Sequence, residues 1–467
     1  MVGRSHVLAN PTDLLVYEYD AGFDRAMPAL VVAPGTSEET AAVVAACSRA
    51  QVPLVARGAG TGLAGGAIAP DGVVVSTARL RRILEIDIES RAALVEPGVV
   101  NLALSEALAP LGLMFGPDPA SQRCSTIGGN IGNNAGGPHA LRYGSVVQHV
   151  LGLELVLADG TRCAMGGRAP DRAGYDATPF VVGAEGTVGV VTKAWLRLLP
   201  KPEAVRTFLT FFADVESGAG AATAIIAEGI VPAALEMMDA PTIRAVNAAF
   251  DAHLPSDAGS LLLVELEGPA EECDERHERI VAICRRAGAT DVKTAANEDE
   301  RALLWKARKL GYPALARLAP NNYLMDGVVP RTKLPETLRQ IAAIAERYGM
   351  LVANMFHIGD GNLHPTLLFD AAVPGMTEKA IEASALILKH CVAVGGALSG
   401  EHGIGVEKNQ FMRWVFSTAD LDAMRRVRDA FDPTGRMNPG KIFPTDEPPR
   451  ELPLERLKFR FAEDMWV

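Results

Sequence analysis

The sequence predicts an α+β protein with two domains, the first rich in strands and the second rich in helices. Between residues 25 and 200, short β-branched runs alternate with glycine-rich turns, whereas long helical patterns dominate from about residue 205 to 420. The change from the strand-rich to the helix-rich pattern follows Leu199-Pro-Lys-Pro202. A chain of 467 residues is too long for one hydrophobic core, and its length therefore also predicts two or three domains.

The first domain is expected to contain a sheet interrupted by at least one helix. Residues 37–48 begin with a capping-box pattern and continue with helical periodicity, which predicts a helix there. Strands are expected wherever apolar and branched residues cluster between turns. These places are residues 30–33, 52–56, 73–76, 93–96 and 151–157.

In the second domain, isolated strands at residues 261–265 and 350–356 are expected to belong to an antiparallel sheet covered by helices. The helices are predicted near residues 215–228, 271–287, 298–318, 334–348 and 376–393. A tight turn is predicted at residues 435–441, and a surface tail is expected to begin at residues 444–449. We therefore place the domains at residues 1–203 and 204–425, followed by a C-terminal segment at 426–467.

Composition excludes several classes of protein. The chain carries 45 basic and 56 acidic residues, and it has no basic cluster, which argues against nucleic-acid binding. The N-terminus lacks the apolar run of a secretory signal, and no apolar stretch is long enough for a transmembrane helix. The six cysteines lack C-x-x-C spacing, which predicts reduced thiols in a cytoplasmic protein and no iron–sulfur cluster on this chain.

Three loops are dense in glycine. The first, Arg57-Gly-Ala-Gly-Thr-Gly-Leu-Ala-Gly-Gly66, departs from the Rossmann pattern because Leu63 holds the third glycine position. The others are residues 125–137 and 183–189. Any one of them is explained by an ordinary glycine turn. Three together favour a large phosphate-bearing ligand, since glycine lets backbone N–H groups approach an anion closely.

The C-terminal half contains His357-Ile-Gly-Asp-Gly-Asn-Leu-His364, and Gly400-Glu-His-Gly403 follows about forty residues later. Imidazole and carboxylate ligands together suit zinc, manganese or iron, and three protein ligands leave a coordination position for substrate. Asp360 and Asn362 are expected to form the turn. A spacing of seven would place the two histidines on opposite faces of a regular strand, so the turn must redirect one. Ordinary hydrogen-bonded imidazoles are the alternative.

These motifs resemble a known family. The glycine loops are similar to those of the FAD-binding domain of the vanillyl-alcohol-oxidase and p-cresol-methylhydroxylase type, and the histidine motifs resemble the C-terminal domain of FAD-linked oxidases. The resemblance covers about residues 17–441 and includes Tyr323-Leu-Met-Asp-Gly-Val-Val-Pro-Arg331 and Asn438-Pro-Gly-Lys441. The group contains D-lactate dehydrogenases and D-2-hydroxyglutarate dehydrogenases, and the chain is most similar to the FAD subunit of bacterial glycolate oxidases.

The resemblance implies a bound FAD. The first loop would hold the pyrophosphate, the second would follow the cofactor, and residues 185–190 would approach the adenosine. Asn438 would lie near the flavin when the C-terminal segment returns to the FAD domain. No histidine occurs between Arg57 and Gly66, which predicts non-covalent FAD. The implied FAD-binding residues are Arg57, Gly58, Ala59, Gly60, Thr61, Gly62, Pro117, Thr126, Gly128, Gly129, Asn134, Gly136, Glu185, Gly189, Val190 and Asn438.

The resemblance also implies an active site. The metal ligands would be His357, His364 and Glu401, and His402 would be the base. Arg308 would bind the substrate carboxylate with its guanidinium fork, although the sequence alone favours a surface arginine.

Two neighbouring positions bear on the substrate. Hydroxyglutarate enzymes have a threonine and a lysine where this chain has Tyr312 and Leu324. An aromatic and an aliphatic side chain there favour a small monocarboxylate, and Tyr312 is expected at the substrate.

The resulting hypothesis is a metal-assisted, FAD-dependent dehydrogenase of a small D-2-hydroxy acid, with glycolate or D-lactate favoured. The alternatives are a D-2-hydroxyglutarate dehydrogenase, a non-catalytic flavin subunit for electron transfer, and a sugar or alcohol oxidase. Electrons must leave to an external acceptor. Partners by resemblance are an iron–sulfur subunit and a second FAD-type subunit, and any attachment to a membrane surface would come through such partners.

Overall fold

The computed structural model describes residues 1–169, 174–250 and 252–445, and these residues form two compact units. The first unit contains Met1–Glu203 and Ser399–Thr445, and the second contains Ala204–Leu398. The chain therefore rejoins the first unit at Ser399, earlier than the expected position of 426. Most of the predicted tail lies outside the described residues.

The first unit contains eleven strands among its described residues, and these strands form three sheets. The strands are β1 (Val7–Leu8), β2 (Leu30–Val32), β3 (Leu54–Arg57), β4 (Val73–Ser76), β5 (Ile83–Asp87), β6 (Ala92–Val95), β7 (Leu113–Met114), β8 (Val150–Val156), β9 (Arg162–Gly166), β10 (Val190–Arg197) and β11 (Leu199–Pro200). The four-stranded sheet has the order β1-β2-β4-β3, with β2 and β3 parallel to β4. The antiparallel five-stranded sheet has the order β5-β6-β10-β8-β9, and β7 pairs with β11.

The helices of this part are α1 (Pro11–Leu14), α2 (Ser37–Ala50), α3 (Asn101–Leu108), α4 (Ile127–Asn133), α5 (Ala140–Tyr143) and α6 (Thr178–Val181). In α2 the helix is capped one residue earlier than the sequence pattern indicates, because the Thr36 hydroxyl accepts a hydrogen bond from the Glu39 N–H at 3.1 Å. Val43, Val44 and Cys47 of α2 pack into the core beside the four-stranded sheet. The sequence predicted a loop for the whole of the second glycine-dense segment, but its central residues form α4.

The second unit contains one large sheet and a two-stranded ribbon. The strands are β12 (Ala204–Phe212), β13 (Ala234–Asp239), β14 (Ser260–Gly268), β15 (Asp291–Thr294), β16 (Asn321–Leu324), β17 (Gly327–Val328), β18 (Leu351–Phe356), β19 (Asn362–Leu363) and β20 (Pro365–Phe369). The large sheet has the order β15-β12-β14-β13-β18-β20-β16, and its neighbours are all antiparallel. This confirms the predicted antiparallel sheet.

The helices of the second unit are α7 (Val215–Ala227), α8 (Ala240–Phe250), α9 (Ala270–Arg286), α10 (Glu298–Lys309), α11 (Gly311–Ala314), α12 (Leu334–Arg347) and α13 (Met376–Ala393). The first unit then receives α14 (Met412–Val415) and α15 (Thr418–Phe431). Short 3₁₀ helices occur at Arg4–His6, Leu15–Tyr17, Ala109–Leu111, Val146–Gln148, Leu315–Arg317, Arg331–Lys333 and Asn409–Phe411. No helix in the described part of the chain is long and apolar enough to cross a membrane.

The single helix predicted for residues 298–318 is interrupted. It ends at Lys309 and continues as α11 and a 3₁₀ turn. Two residues explain the break. Pro313 cannot donate a backbone hydrogen bond. A Cβ atom at Gly311 would lie 2.3 Å from the Met355 sulfur, so the close approach to β18 requires glycine. The interruption leaves Arg308 in the last turn of α10.

Candidate active site

The first unit contains a cleft with about 1380 Å³ of empty space, including the part open to solvent. All three glycine-rich loops contribute to its wall, as the sequence predicted. The predicted cofactor residues in the wall are Arg57, Gly58, Ala59, Gly60, Thr61, Gly62, Thr126, Gly128, Gly129, Glu185, Gly189 and Val190. Glu401 and His402 also line this cleft. The cleft thus contains the sites predicted for a phosphate-bearing cofactor together with the predicted base.

The Arg57 side chain stabilises the first glycine-rich loop through hydrogen bonds to backbone carbonyls. Its guanidinium donates to the backbone carbonyls of Ala67, at 3.2 Å, and Tyr19, at 2.7 Å. Its side chain is buried, and burial lowers the pKa of the guanidinium from its ordinary value. Gly60 has a φ of 71°, and a Cβ atom there would lie 2.3 Å from the Arg57 guanidinium. Arg57 therefore sets the shape of the loop in addition to lining the cleft.

The segment that carries Glu401 and His402 is held by polar side chains of the same unit. The Asn133 side-chain amide donates to the His402 carbonyl at 3.0 Å, and the Ser399 hydroxyl accepts from the Gly403 N–H at 2.9 Å. Asn133 is the last residue of α4, which lies within the second glycine-rich loop. The loop of the predicted base is therefore tied directly to a loop of the predicted cofactor site.

Glu185 provides two further attachments to this segment. One of its carboxylate oxygens accepts from the Ile404 N–H at 2.7 Å, and the other accepts from the Gly405 N–H at 2.8 Å. Burial raises the pKa of Glu185 to about 7, against the opposing effects of the two N–H donors and of Lys441 and Lys408. The adenosine-side position expected for Glu185 stays a prediction, but its carboxylate is engaged by the backbone of the loop that follows His402.

Four predicted cofactor residues are absent from the described wall of the cleft. The Pro117 carbonyl accepts from Asn101, and the Asn134 side chain accepts from a backbone N–H. A Cβ atom at Gly136 would lie 3.2 Å from a Glu401 carboxylate oxygen. The Asn438 amide donates to the carbonyls of Gly66, at 2.8 Å, and Glu185, at 2.6 Å. Asn438 therefore ties the returning C-terminal segment to the cofactor loops.

The second unit brings His357 and His364 together. Their rings lie edge to face with centroids 5.1 Å apart, and both side chains are buried. The turn between them is built as expected, because the Asp360 carboxylate accepts from the Asn362 N–H at 3.0 Å and Gly361 has a φ of 83°. Asn362 itself begins the short strand β19 and is buried.

A buried glutamate joins His357 to Arg308. One oxygen of Glu236 lies 2.7 Å from His357 Nδ1, and the other accepts from Arg308 Nε at 2.7 Å and lies 2.5 Å from a terminal nitrogen of the same guanidinium. Glu236 is 0% exposed. Burial raises the pKa of Glu236, but His357 and Arg308 outweigh that effect and hold it below its ordinary value. Arg308 is buried, which differs from the surface arginine that the sequence alone favours.

Tyr312 lies in α11, one turn after Arg308. Its hydroxyl donates to the Asn322 side chain at 2.8 Å, and burial raises the pKa of the phenol. Leu324 lies two residues beyond Asn322 in β16. His364 faces another buried carboxylate, with 3.5 Å between its Nε2 and an Asp326 oxygen. The substrate roles predicted for Arg308 and Tyr312 stay predictions.

The sequence interpretation missed Glu236, Asn133 and Asp326. Glu236 had a usable signal, since it is a single carboxylate inside the apolar run Ala233-Ala-Leu-Glu-Met-Met238. A buried carboxylate needs a cationic or hydrogen-bonding partner, so its position indicates a polar cluster. Nothing in the sequence indicates which partner it has. The partners come from α10 and from the residue after β18, which are far away along the chain.

Comparison with known proteins agrees with this architecture. Residues 201–442 match the model for "FAD linked oxidases, C-terminal domain", and residues 28–166 match that for "FAD binding domain". The chain is 45% identical to glycolate oxidase subunit GlcD of Escherichia coli over 95% of this chain and 91% of that protein. It is 33% identical to D-lactate dehydrogenase of Archaeoglobus fulgidus, over 88% and 91% of the two chains.

The fold is also found in a solved structure. p-Cresol methylhydroxylase with bound substrate superposes with a TM-score of 0.78 at 18% identity, covering 94% of each chain. That likeness confirms the type of FAD-binding fold that the glycine loops predicted. With a family model that spans residues 201–442 and relatives that align along most of its length, the chain belongs to the FAD-linked oxidases and is an FAD-linked oxidoreductase.

Proposed function

We propose that this chain oxidises a small D-2-hydroxy acid, glycolate or D-lactate, to the 2-keto acid with non-covalently bound FAD. The observation that carries the proposal is that Glu401 and His402 share the wall of one cleft with the three glycine-rich loops. Bound FAD would supply the acceptor for the hydride from the substrate carbon. The names of the relatives, a glycolate oxidase subunit and a D-lactate dehydrogenase, support the substrate class.

The proposed base is His402. It is half-buried, and a neutral imidazole can accept the proton of a substrate hydroxyl. Its loop is restrained by Asn133 on the carbonyl of His402 itself and by Glu185 on the following N–H groups. Because these hydrogen bonds restrain the backbone of His402, they fix the distance between its imidazole and the substrate. Misplacement of a catalytic group by about 1 Å can cost on the order of 100-fold in rate.

We further propose His357, His364 and Glu401 as ligands of a divalent metal ion. Two buried imidazoles and a carboxylate fit zinc, manganese or iron, and the carboxylate on His357 Nδ1 is the usual arrangement behind a metal-binding histidine. When bound, such an ion supplies a positive charge that favours the ionised form of a chelated hydroxyl. This ligand set rests on the resemblance and on the donor types.

Arg308 is proposed to bind the substrate carboxylate. Glu236 occupies the side edge of its guanidinium, and no hydrogen bond from the remaining terminal nitrogen to a described residue is present. The end edge therefore keeps two parallel N–H donors for a carboxylate. Tyr312 and Leu324 offer no positive charge for a second carboxylate, which favours glycolate or D-lactate over D-2-hydroxyglutarate.

The proposal includes an external electron acceptor. The chain is similar to a protein named as a subunit of glycolate oxidase, and we propose that it works with partner subunits in the cytoplasm, one carrying an iron–sulfur centre and one a second FAD. The described cysteines are free thiols, and four of the six are buried. Any contact with a membrane surface would come through the partners.

The test is anaerobic flavin reduction. The FAD-loaded chain is mixed with glycolate, D-lactate, L-lactate or D-2-hydroxyglutarate, and loss of the oxidised flavin absorbance is followed with and without a chelator. We expect bleaching by glycolate or D-lactate and slower bleaching after metal removal. Fast bleaching by D-2-hydroxyglutarate alone would favour that substrate, and bleaching by none of the four acids would contradict the function.

The matched variants are His402→Ala and His6→Ala. His6 lies in the same unit but is not part of the cleft wall. We expect the first variant to retain FAD and to lose flavin reduction by at least about 100-fold, as for removal of a general base. The second should behave as the wild type. Equal activity in both would remove His402 from the proposed mechanism.

A further inference from the structure

Two buried carboxylates lie on one face of the large sheet in the second unit. Glu236 is on β13 and Glu265 is on β14, and both are 0% exposed. Glu265 stands opposite Ala234 in the register of the two strands. Because side chains alternate along a strand, Ala234, Glu236 and Glu265 point to the same face.

Helix α10 supplies an arginine to each carboxylate. Arg301 binds Glu265 with Nε and a terminal nitrogen, both at 2.9 Å, and Arg308 binds Glu236. The two arginines are seven residues apart, which is close to two helical turns and places them on one face of α10. The pairs Arg301–Glu265 and Arg308–Glu236 therefore have the same arrangement, an arginine of α10 on a buried carboxylate of the sheet. They differ in the other groups that each carboxylate contacts.

Glu265 has the contacts of a structural ion pair. In addition to Arg301 it accepts from the Trp305 indole N–H at 2.6 Å and from the Thr207 hydroxyl. Glu236 instead shares its second oxygen with His357 Nδ1 at 2.7 Å. One of the two buried carboxylates is thus bound to an imidazole that is a proposed metal ligand.

The donor chemistry fixes the state of that imidazole. An ionised carboxylate only accepts hydrogen bonds, so His357 Nδ1 must carry the proton that lies between them. In a neutral imidazole the lone pair then lies on Nε2, which leaves Nε2 to bind a metal. The other oxygen of Glu236 meanwhile holds Nε and one terminal nitrogen of Arg308. The orientation of the guanidinium end edge is set by the same carboxylate.

We propose that Glu236 is a positioning residue that fixes the Nδ1–H tautomer of His357 and the orientation of Arg308 at once. The inference rests on the proposed function for the roles of His357 and Arg308, and adds that one buried carboxylate controls both. A single change at Glu236 should therefore weaken metal binding and substrate binding together.

Glutamine cannot replace Glu236 in both contacts. Its carbonyl can accept from Arg308 or from His357, and its NH₂ group then faces the other donor. If the NH₂ group faces His357, the imidazole must move its proton to Nε2. If it faces Arg308, two donors meet in a buried site and the arginine must turn. Aspartate keeps both acceptor oxygens and the charge on a shorter side chain.

The experiment compares Glu236→Gln, Glu236→Asp and the matched control Glu265→Gln. The tautomer of His357 is read in the wild type and the variants by nitrogen NMR of the metal-free chain labelled only at its nine histidines. Its signal is assigned by its loss in His357→Ala. Affinity for Zn²⁺ and Mn²⁺ is measured by competition with a chelator, and KM and kcat are measured with glycolate and D-lactate.

We expect His357 in the wild type to carry its proton on Nδ1. Glu236→Gln should lower metal affinity by about 10- to 100-fold, as other partners of metal-binding histidines do. It should also raise KM at least tenfold, and Glu236→Asp should recover part of both losses. Glu265→Gln should lower the free energy of unfolding and leave metal affinity and KM within threefold of the wild type.

An Nε2–H tautomer in the wild type would overturn the inference, and that measurement needs no folded variant. Equal losses of metal affinity in Glu236→Gln and Glu265→Gln would also overturn it, since they would reduce Glu236 to a structural ion pair. If the wild type shows the Nδ1–H tautomer but no acid reduces its flavin, the proposed function fails and the positioning of His357 by Glu236 stands.

Discussion

Replacing Glu185 by glutamine should change how the stability of the chain depends on pH. The folded chain raises the pKa of this carboxyl from 4.5 to about 7 because it is buried. Between those values the folded chain binds more protons at this site than the unfolded chain does. The stabilisation is therefore fully present below pH 4.5 and is lost as the pH rises through 7. Each pKa unit corresponds to about 1.4 kcal/mol, so the full change is about 3 kcal/mol.

The assay is urea unfolding of the FAD-loaded chain at pH 5, 6, 7 and 8, followed by tryptophan fluorescence. Glutamine has nearly the same shape but does not titrate, so the wild type minus variant difference in the free energy of unfolding isolates this carboxyl. The groups that face it, the Ile404 and Gly405 N–H donors and the ammonium groups of Lys408 and Lys441, are the same in both proteins. We expect the difference to fall by at least about 2 kcal/mol from pH 5 to pH 8.

Glu154→Gln is the control for this measurement. Burial raises the pKa of Glu154, but hydrogen bonds from Ser37, Thr192 and Lys193 and the charge of Lys193 lower it below its ordinary value. A carboxylate with a depressed pKa loses its stabilisation only as the pH falls, so its difference should be flat from pH 5 to 8. A flat or rising difference for Glu185→Gln would refute the raised pKa of this buried carboxyl.

Three further substitutions test the structure around the sites. Gly405→Ala should destabilise the chain by about 1–3 kcal/mol, because the new Cβ atom would lie 1.8 Å from the Ala64 carbonyl oxygen, and it should slow flavin reduction while FAD stays bound. The control is Gly435→Ala, which also has a positive φ but has open space around it. We expect this control to have the smaller effect on urea unfolding and on the rate of flavin reduction. Glu265→Ala should cost about 1–3 kcal/mol in urea unfolding, since it leaves the buried Trp305 indole N–H and the Thr207 hydroxyl without their carboxylate acceptor, and an unchanged free energy of unfolding would contradict this. Phe208→Ala should cost about 3–5 kcal/mol in the same assay because the ring is fully buried, and retained stability would contradict that packing.

The sequence predicted the parts of the fold that have local signals. Helix α2 and strand β4 lie where periodicity and branched residues indicated them. The helix predicted for residues 298–318 is interrupted after Lys309. Pro313 is a local signal for that break, whereas the contact between Gly311 and Met355 is set by tertiary packing and not by periodicity. The same limit applies to Ser399, where the chain rejoins the first unit well before the C-terminal motif begins.

The candidate site likewise contains residues that the sequence predicts and supporting residues that it does not. Residues such as His402 and Gly60 lie in recognisable motifs, and the structure places both in the wall of the cleft. The groups that hold them, Asn133 for the His402 loop and Arg57 for Gly60, depend on hydrogen bonds whose partners only the fold brings together. Motifs predict which side chains react, whereas the supporting hydrogen bonds can be assigned only after the chain is folded.

Glu185 and Glu236 show why a carboxylate suits this supporting role. Each is buried within its own unit, and each uses its two oxygens for two separate groups. A hydroxyl or an amide has only one acceptor oxygen, and at the position of the second oxygen an amide presents N–H groups instead of an acceptor. A carboxylate satisfies both donors, and the low polarity of its surroundings strengthens each bond. The cost of burying the carboxyl is thus offset by the groups that it fixes: the loop after His402 in one unit, and His357 with Arg308 in the other.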